Sequence, residues 1–246
     1  MKKLSENRRK KVEQLVRLAV NKSRLKKTAQ EFGLEVIKFH IEIMSAEEKY
    51  LFNYLSGAFS NKDLKNGAKN LPAFLEDRRF TKRLDSVSGR AIYHKAVVRR
   101  ALLSVGYLKE TGFTDKAFIL KMNVLCRKFL RKLERKQGIV LIGVPMQGAL
   151  ESFDRLLAHE VFHLALMKKQ IWFQNIDKKY AYLDEGLAHL LSAYYIDRVS
   201  KLKDMQKRNA EYKSAYNWYE SLNPLNGKDR LRKIRTVYRN HREVRT

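Results

Sequence analysis

The sequence is poor in cysteine, proline, acidic residues and long apolar runs. Its single cysteine, Cys126, excludes an internal disulfide and any metal site built from several cysteines, and a structural role is expected for it. Three prolines in 246 residues favour a helix-rich chain. No apolar run approaches the roughly 18–20 residues of a membrane span, and the basic N-terminus lacks the apolar segment of a secretory signal. These absences predict a soluble protein of a reducing compartment, the cytoplasm.

Basic residues outnumber acidic ones, 52 to 26, which gives a net charge of +26. The excess is uneven: residues 151–200 carry 6 basic and 7 acidic residues, whereas residues 1–30 carry 11 and 2, and residues 201–246 carry 13 and 5. A charge of this size predicts nucleic acid or another polyanion as a partner, with a solvated Lys/Arg-rich surface as the alternative. The near-neutral window is where we expect a buried site.

Apolar periodicity assigns elements to the first part of the chain. Alternation over residues 35–43 predicts a half-buried strand, and a capping-box pattern from Ser45 to Glu48 predicts that a helix begins there and runs through Leu55. Ala29 and Gly33 are spaced as in a helix-turn-helix, although the alternation that follows favours the strand. The remaining assignments are a basic helix over 5–20, a loop over 57–70, an undecided helix or strand over 90–110, and a helix over 115–136.

The second part begins with an apolar, β-branched run from Gly138 to Pro145, which predicts a strand that Pro145 ends or keeps at a sheet edge. Four helices follow, over residues 151–168, 180–198, 201–220 and 228–244. The whole pattern predicts an α+β fold with a small mixed sheet and a helix-rich C-terminal part. We assign residues 1–110 to a basic N-terminal region of unrecognised type and residues 111–246 to a second domain, which ends in a basic helix.

The near-neutral window contains the motif H-E-x-x-H, from His159 to His163, inside the stretch LLAHEVFHLAL. On a helix, residues i and i+4 share a face, so both imidazoles can bind one metal ion. Glu160 is offset by one residue and can reach a metal-bound water without binding the metal. The pattern also occurs by chance, but the apolar flanks predict a buried helix, in which these polar side chains need partners.

A second motif, LDEGLAHL, begins the next predicted helix. Two histidines leave a catalytic zinc one protein ligand short of the usual three. The 21 residues between His163 and Glu185 allow a loop and an antiparallel return, and Gly186 allows close helix–helix approach. Glu185 is therefore the candidate third ligand.

HEVFH followed by LDEGLAHL resembles the gluzincin zinc metallopeptidases, the clan of thermolysin and the zinc aminopeptidases. The resemblance covers residues 138–200 and implies a zincin-like domain. It implies that His159, His163 and Glu185 bind one zinc ion per chain and that Glu160 is the general base. It also implies that the strand over 139–144 is an edge strand that aligns the substrate backbone.

The sequence departs from that family at several positions. Thermolysin-like enzymes place an acidic residue one turn after the glutamate ligand, where this chain has His189. Asp184 either orients a ligand histidine or caps its helix, and His189 competes with Glu185 as third ligand, as in zincins with three histidines. The oxyanion donor of the family is a downstream Tyr or His. The candidates here are Tyr194 and Tyr195, which are equally placed for core packing, and Tyr212, Tyr216 and His241.

Together these motifs predict a zinc metallopeptidase that hydrolyses peptide or protein substrates. The resemblance implies that metal-activated water attacks the peptide carbonyl while Glu160 takes its proton and passes it to the leaving amine. The alternative is a nucleic-acid-associated protein with basic flanks, in which the zincin unit cleaves bound proteins or is inactive.

Overall fold

The structure is a computed structural model that describes residues 4–57, 88–110, 116–145, 153–173 and 177–243. The chain forms two compact units, one made of Met1–Gln14 and Lys38–Glu151, the other of Leu15–Ile37 and Ser152–Thr246. Residue 110, the predicted boundary of the catalytic domain, lies inside the first unit. The elements, in chain order, are α1 Glu6–Ala19, α2 Lys22–Glu31, β1 Phe39–Ser45, α3 Ala46–Gly57, β2 Ser88–Ile92, α4 Lys95–Glu110, α5 Lys116–Glu134, β3 Gly138–Val144, α6 Phe153–Lys168, α7 Ala181–Tyr195, α8 Leu202–Met205, α9 Ala210–Leu222 and α10 Gly227–Glu243.

The sheet of the first unit is small and mixed, with the strand order β1-β3-β2. β1 runs parallel to β3 and β2 runs antiparallel to it. All seven residues of β3 are buried, as a continuous apolar run requires. The predicted strand is confirmed, and Pro145 ends it. Its expected place as an edge strand for substrate is wrong, because β1 and β2 bind both of its edges.

The capping box at the start of α3 is confirmed by two reciprocal hydrogen bonds. The backbone N–H of Glu48 donates to Ser45 Oγ at 3.1 Å, and the backbone N–H of Ser45 donates to Glu48 Oε2 at 3.1 Å. This pairing satisfies two backbone donors that a helix start leaves free. The undecided stretch over 90–110 contains both predicted states, since β2 is followed by α4. The predicted loop over 57–70 lies, from residue 58 on, outside the described residues.

The core of the first unit lies between the sheet and helices α3, α4 and α5. Phe52 of α3 and Phe129 of α5 meet edge to face, with ring centroids 5.8 Å apart. Cys126 lies in this core with 0% exposure, and burial raises the pKa of its thiol to about 12. A neutral, inaccessible thiol is an apolar packing group, which fits the structural role expected for it.

Helix α7 is the middle helix of the second unit and packs against α2, α6 and α9. Every residue of α6 from Leu157 to Met167 is buried, so the predicted buried helix is confirmed. Tyr195, at the end of α7, donates its hydroxyl to the carbonyl of Ala19 at 3.0 Å. The C-terminal end of α7 is thus bonded to the backbone at the end of α1.

Helix α2 ends in a turn, which corrects the helix-turn-helix alternative. Gly33 has φ +66°, its N–H donates to the carbonyl of Gln30 at 2.9 Å, and the N–H of Leu34 donates to Ala29 at 2.9 Å. These two bonds with a left-handed glycine form a helix C-cap of the Schellman type. The chain then continues without a helix to β1, so the Ala29–Gly33 spacing marks a helix end.

The single helix predicted over 201–220 is wrong, because the chain breaks between α8 and α9. Asn209 has an extended backbone, and its Oδ1 accepts the N–H of Tyr212 at 2.9 Å. Asparagine is a preferred N-cap residue, and its bond to the third position of the helix fixes where α9 begins. The other predicted helices of this unit are confirmed within a few residues, and the α+β class is confirmed.

Among the helices that the structure describes, none has both the length and the apolar character needed to cross a lipid bilayer.

Candidate metal centre

Helix α6 brings two imidazoles together on one buried face. His159 and His163 are each 8% exposed, and their Nε2 atoms lie 3.1 Å apart. Their rings meet at 81° with centroids 4.7 Å apart, so both nitrogens point to one spot without the rings stacking. The four-residue spacing places the two side chains one turn apart on the same face.

Glu185 of α7 completes a compact triangle of donor atoms. Its Oε2 lies 3.0 Å from His159 Nε2 and 3.5 Å from His163 Nε2. Zinc binds nitrogen and oxygen ligands at about 2.0–2.2 Å, so two ligands of a tetrahedral ion lie about 3.3 Å apart. The three separations of 3.0, 3.1 and 3.5 Å straddle that value. The residues therefore fit a zinc site with two nitrogen donors and one oxygen donor.

The N-terminal part of α7, which carries Glu185, is fixed by its neighbours. The indole N–H of Trp218 donates to the carbonyl of Leu183 at 3.2 Å. The Asp184 carboxylate accepts the backbone N–H of Phe173 at 2.9 Å. Gly186 faces α9 so closely that a β-carbon there would lie 2.9 Å from the nitrogen of Ala215. Close helix approach was expected at Gly186, and its partner is α9.

The three groups also bind one another electrostatically. Burial by itself would lower the pKa of His163, but its hydrogen bond to Glu185 and the charge of that carboxylate raise this pKa to about 9. Burial would raise the pKa of Glu185, whereas the hydrogen bonds with His159 and His163 lower it far below the usual range. The ionised carboxylate of Glu185 is a suitable ligand for a divalent cation, and His163, whose pKa is raised, must release a proton when it binds one.

His189 lies beside this triangle and offers a second donor set. The donor atoms of His159, Glu185 and His189 all lie within 4.8 Å of one another. His159 and Glu185 belong to both sets, so His163, at 3.1 and 3.5 Å from them, and His189 are the two candidates for the remaining donor. Burial, together with the charges of His159 and Arg155, lowers the pKa of His189 to about 3.

The His159 ring lacks the support that a metal-bound histidine usually has. Among the residues that the structure describes, its buried Nδ1 has no hydrogen-bond partner, and the same holds for Nδ1 of His189, whose ring centroid lies 4.5 Å from that of His159. Metal-binding histidines normally donate their second N–H to an acceptor. The residue one turn after Glu185, where an acceptor for this N–H would be useful, is His189, and it brings a second imidazole instead.

Asp184 is buried close to the centre but does not cap its helix. Helix α7 begins at Ala181, and its N-cap position, Tyr180, makes no side-chain capping bond. The N-cap alternative is therefore wrong. The charge of Asp184 raises the pKa of His163, so its contribution is an electrostatic one, combined with its bond to Phe173.

Glu160 lies next to the two histidines on α6 and is 6% exposed. In the part of the chain that the structure describes, no residue hydrogen-bonds its carboxylate. Consecutive residues on a helix are rotated by about 100°, so Glu160 borders the His159–His163 face without sharing it. This is the position expected for a proton acceptor beside a metal ion.

The two candidate tyrosines of α7, Tyr194 and Tyr195, lie at its far end and bond elsewhere. The hydroxyl of Tyr194 donates to Asn223 Oδ1 at 3.2 Å, and its ring meets Phe32 edge to face at 5.1 Å. Tyr195 bonds to Ala19, as described above. These contacts give both residues the packing role that was the alternative to oxyanion stabilisation.

Tyr212 is the downstream candidate that the structure brings to the centre. Its ring stacks on His189 with centroids 4.7 Å apart, and its hydroxyl accepts a hydrogen bond from Arg155 at 2.6 Å. Sequence reasoning missed Arg155. Its signal was a position four residues before His159 on the same helix face, in a window with few basic residues.

The C-terminal helix α10 carries an exposed basic face made of Arg232, Lys233, Arg235, Arg239 and Arg242. An exposed face of this kind fits both contact with a polyanion and plain solvation. Both alternatives stay predictions.

Comparison of the chain with models of known protein families, with curated proteins and with solved structures finds no match.

Proposed function

We propose that this protein is a zinc-dependent metallopeptidase whose centre is formed by His159, His163 and Glu185. The observation that carries the proposal is the convergence of two Nε2 atoms and one carboxylate oxygen within 3.0–3.5 Å of one another. Two imidazoles and a carboxylate from two helices are a donor set that leaves one position of a tetrahedral zinc open, as catalytic sites do. The resemblance of HEVFH and LDEGLAHL to the gluzincins supports the same assignment.

A zinc ion held by these residues would supply Lewis acidity to a water molecule and to a peptide carbonyl. The chain supplies the rest of the chemistry. Glu160 accepts the proton of the attacking water and returns it to the leaving amine, because it is the buried carboxylate beside the ligands that has no other bond in the described chain. Tyr212, whose hydroxyl accepts a bond from Arg155 and whose ring stacks on His189, is our candidate donor for the oxyanion.

Zinc content tests the centre directly. We expect about one zinc per chain in the wild type by elemental analysis, and a near-complete loss after Glu185→Ala, because two histidines alone bind zinc weakly. Glu220→Ala removes an exposed carboxylate of α9 and should keep the zinc. Equal zinc in the wild type and in Glu185→Ala would contradict the assigned ligand set, and no zinc in the wild type would contradict the proposal itself.

His189→Asp distinguishes the two possible roles of position 189. An aspartate there offers an acceptor to the orphaned Nδ1 of His159, and outer acceptors of this kind are worth about 10–100-fold in metal affinity. We expect zinc to bind about tenfold more tightly in this variant, measured by competition with a chelating dye. If His189 were itself the third ligand, His189→Asp and His189→Ala would both bind zinc more weakly than the wild type.

A further inference from the structure

A basic cavity lies in the second unit, beside the metal centre. It has a volume of about 470 Å³, and its charged lining residues are Arg155, Arg198, Lys201, Asp204 and Arg208. Four of these residues are cationic and one is acidic. Arg198, Lys201 and Arg208 are exposed, and none of the three forms an ion pair with another residue in the described ranges. The cavity therefore holds positive charge that the described chain leaves uncompensated.

Two residues that line the cavity lie one helical turn from residues of the metal centre. Arg155 precedes His159 by one turn on α6, and Ala193 follows His189 by one turn on α7. Arg155 also donates to the hydroxyl of Tyr212, whose ring stacks on His189. One turn of helix advances about 5.4 Å, so these two lining residues lie about that far along their helices from His159 and His189.

We propose that this cavity binds a carboxylate of the peptide substrate, on an acidic side chain or at a free C-terminus. The proposal rests on the proposed function, since it assigns a specificity site to the same centre. Arginine pairs with planar carboxylates through two parallel hydrogen bonds, and three arginines face one cavity here. The apolar side chains of Ile196, Leu202 and Met205 give the methylene groups of such a residue a surface to pack on.

A single nucleic-acid strand fits these observations less well. Sites for single strands combine a basic groove with aromatic rings on which bases stack. Among the described residues that line the cavity, none is aromatic. The volume of about 470 Å³ matches a few side chains of a peptide.

Peptide binding to the full-length Glu160→Gln protein tests the inference, because this parent should hold peptides without cutting them. Fluorescence anisotropy would compare three labelled peptides of one neutral sequence: one with an amidated C-terminus, one amidated with a central Glu, and one with a free C-terminus. The variant pair Arg198→Ala/Arg208→Ala removes two cavity cations. The pair Arg235→Ala/Arg239→Ala removes two exposed cations of α10 and is matched in charge.

We expect at least one of the two carboxylate peptides to bind tenfold or more tightly than the neutral amidated peptide. The cavity pair should reduce that preference to less than twofold, and the α10 pair should preserve it. The peptide with the larger preference identifies the source of the carboxylate. Charge reversal, Arg198→Glu/Arg208→Glu, should favour the same peptide with a central Lys.

Three results would overturn the inference: no carboxylate preference in the parent, an equal loss of that preference in both variant pairs, or a cavity pair that weakens the binding of a labelled oligonucleotide, assayed in the same way, and leaves peptide binding unchanged. The proposed function fails separately. Carboxylate-dependent binding that needs Arg198 and Arg208, in a wild-type protein without zinc, would contradict the zinc hydrolase and support the anion site.

Discussion

Glu160→Gln should lower the rate of peptide cleavage by about 10²–10⁴-fold, the range in which general acid–base groups contribute. The amide keeps the size of the side chain but cannot take the proton of the attacking water. Zinc content should stay at the wild-type level, because Glu160 is not one of the three converging donors. The measurement pairs the cleavage of a casein-like substrate with elemental analysis of the same preparation.

The control for this prediction is Glu220→Gln, an exposed carboxylate of α9 that should leave both readings unchanged. Because Glu160 is buried in α6, the thermal midpoint of the variant must also be measured. A variant that holds zinc, melts like the wild type and still cleaves at the wild-type rate would contradict the peptidase mechanism. One that loses zinc would instead place Glu160 among the ligands.

Most of the regular structure follows from local patterns that the sequence displays. The stretch LLAHEVFHLAL predicts a helix buried on all sides, and α6 is buried from Leu157 to Met167. The reciprocal bonds of Ser45 and Glu48 follow from the four-residue pattern alone, because a capping box needs no tertiary contact. Periodicity and capping are local effects, so a single sequence is enough to read them.

Non-local features were harder to predict. The apolar run of β3 is equally compatible with an edge or a central strand until its neighbours are known, and β1 and β2 lie about 100 and 50 residues before it. The break at Asn209 sets the rotation of α9, and that rotation decides which of its tyrosines reaches His189. The sequence offers Tyr212 and Tyr216 equally, and tertiary packing selects Tyr212.

In the metal centre, too, some features follow from local sequence patterns and others depend on tertiary packing. The i, i+4 spacing is enough to bring His159 and His163 together on one face. Glu185 joins them only because α7 returns beside α6 at the right depth. The role of His189 is a matter of distances between side chains, which the spacing of residues along the chain does not give.

Gly186→Ala tests how closely α7 packs against α9. It should destabilise the protein although alanine is the better helix former. A β-carbon at this position would lie 2.5 Å from Ser214 Cβ and 2.9 Å from the backbone nitrogen of Ala215. Overpacking of this kind costs about 3 kcal/mol, and the helix propensity of alanine returns about 1 kcal/mol. We expect a net loss of about 2 kcal/mol, seen as a fall of several degrees in Tm.

The matched control is Gly106→Ala in α4, where an added β-carbon would meet nothing within 4 Å. That variant should gain about 0.5–1 kcal/mol from helix propensity alone, so the two alanines should shift Tm in opposite directions.

Ser214→Gly removes the side-chain part of the clash and should partly rescue Gly186→Ala. Because Gly186 follows Glu185, displacement of α7 from α9 should also weaken zinc binding, and the rescue should restore both properties together. A stabilised Gly186→Ala protein would show that α7 and α9 do not pack this closely.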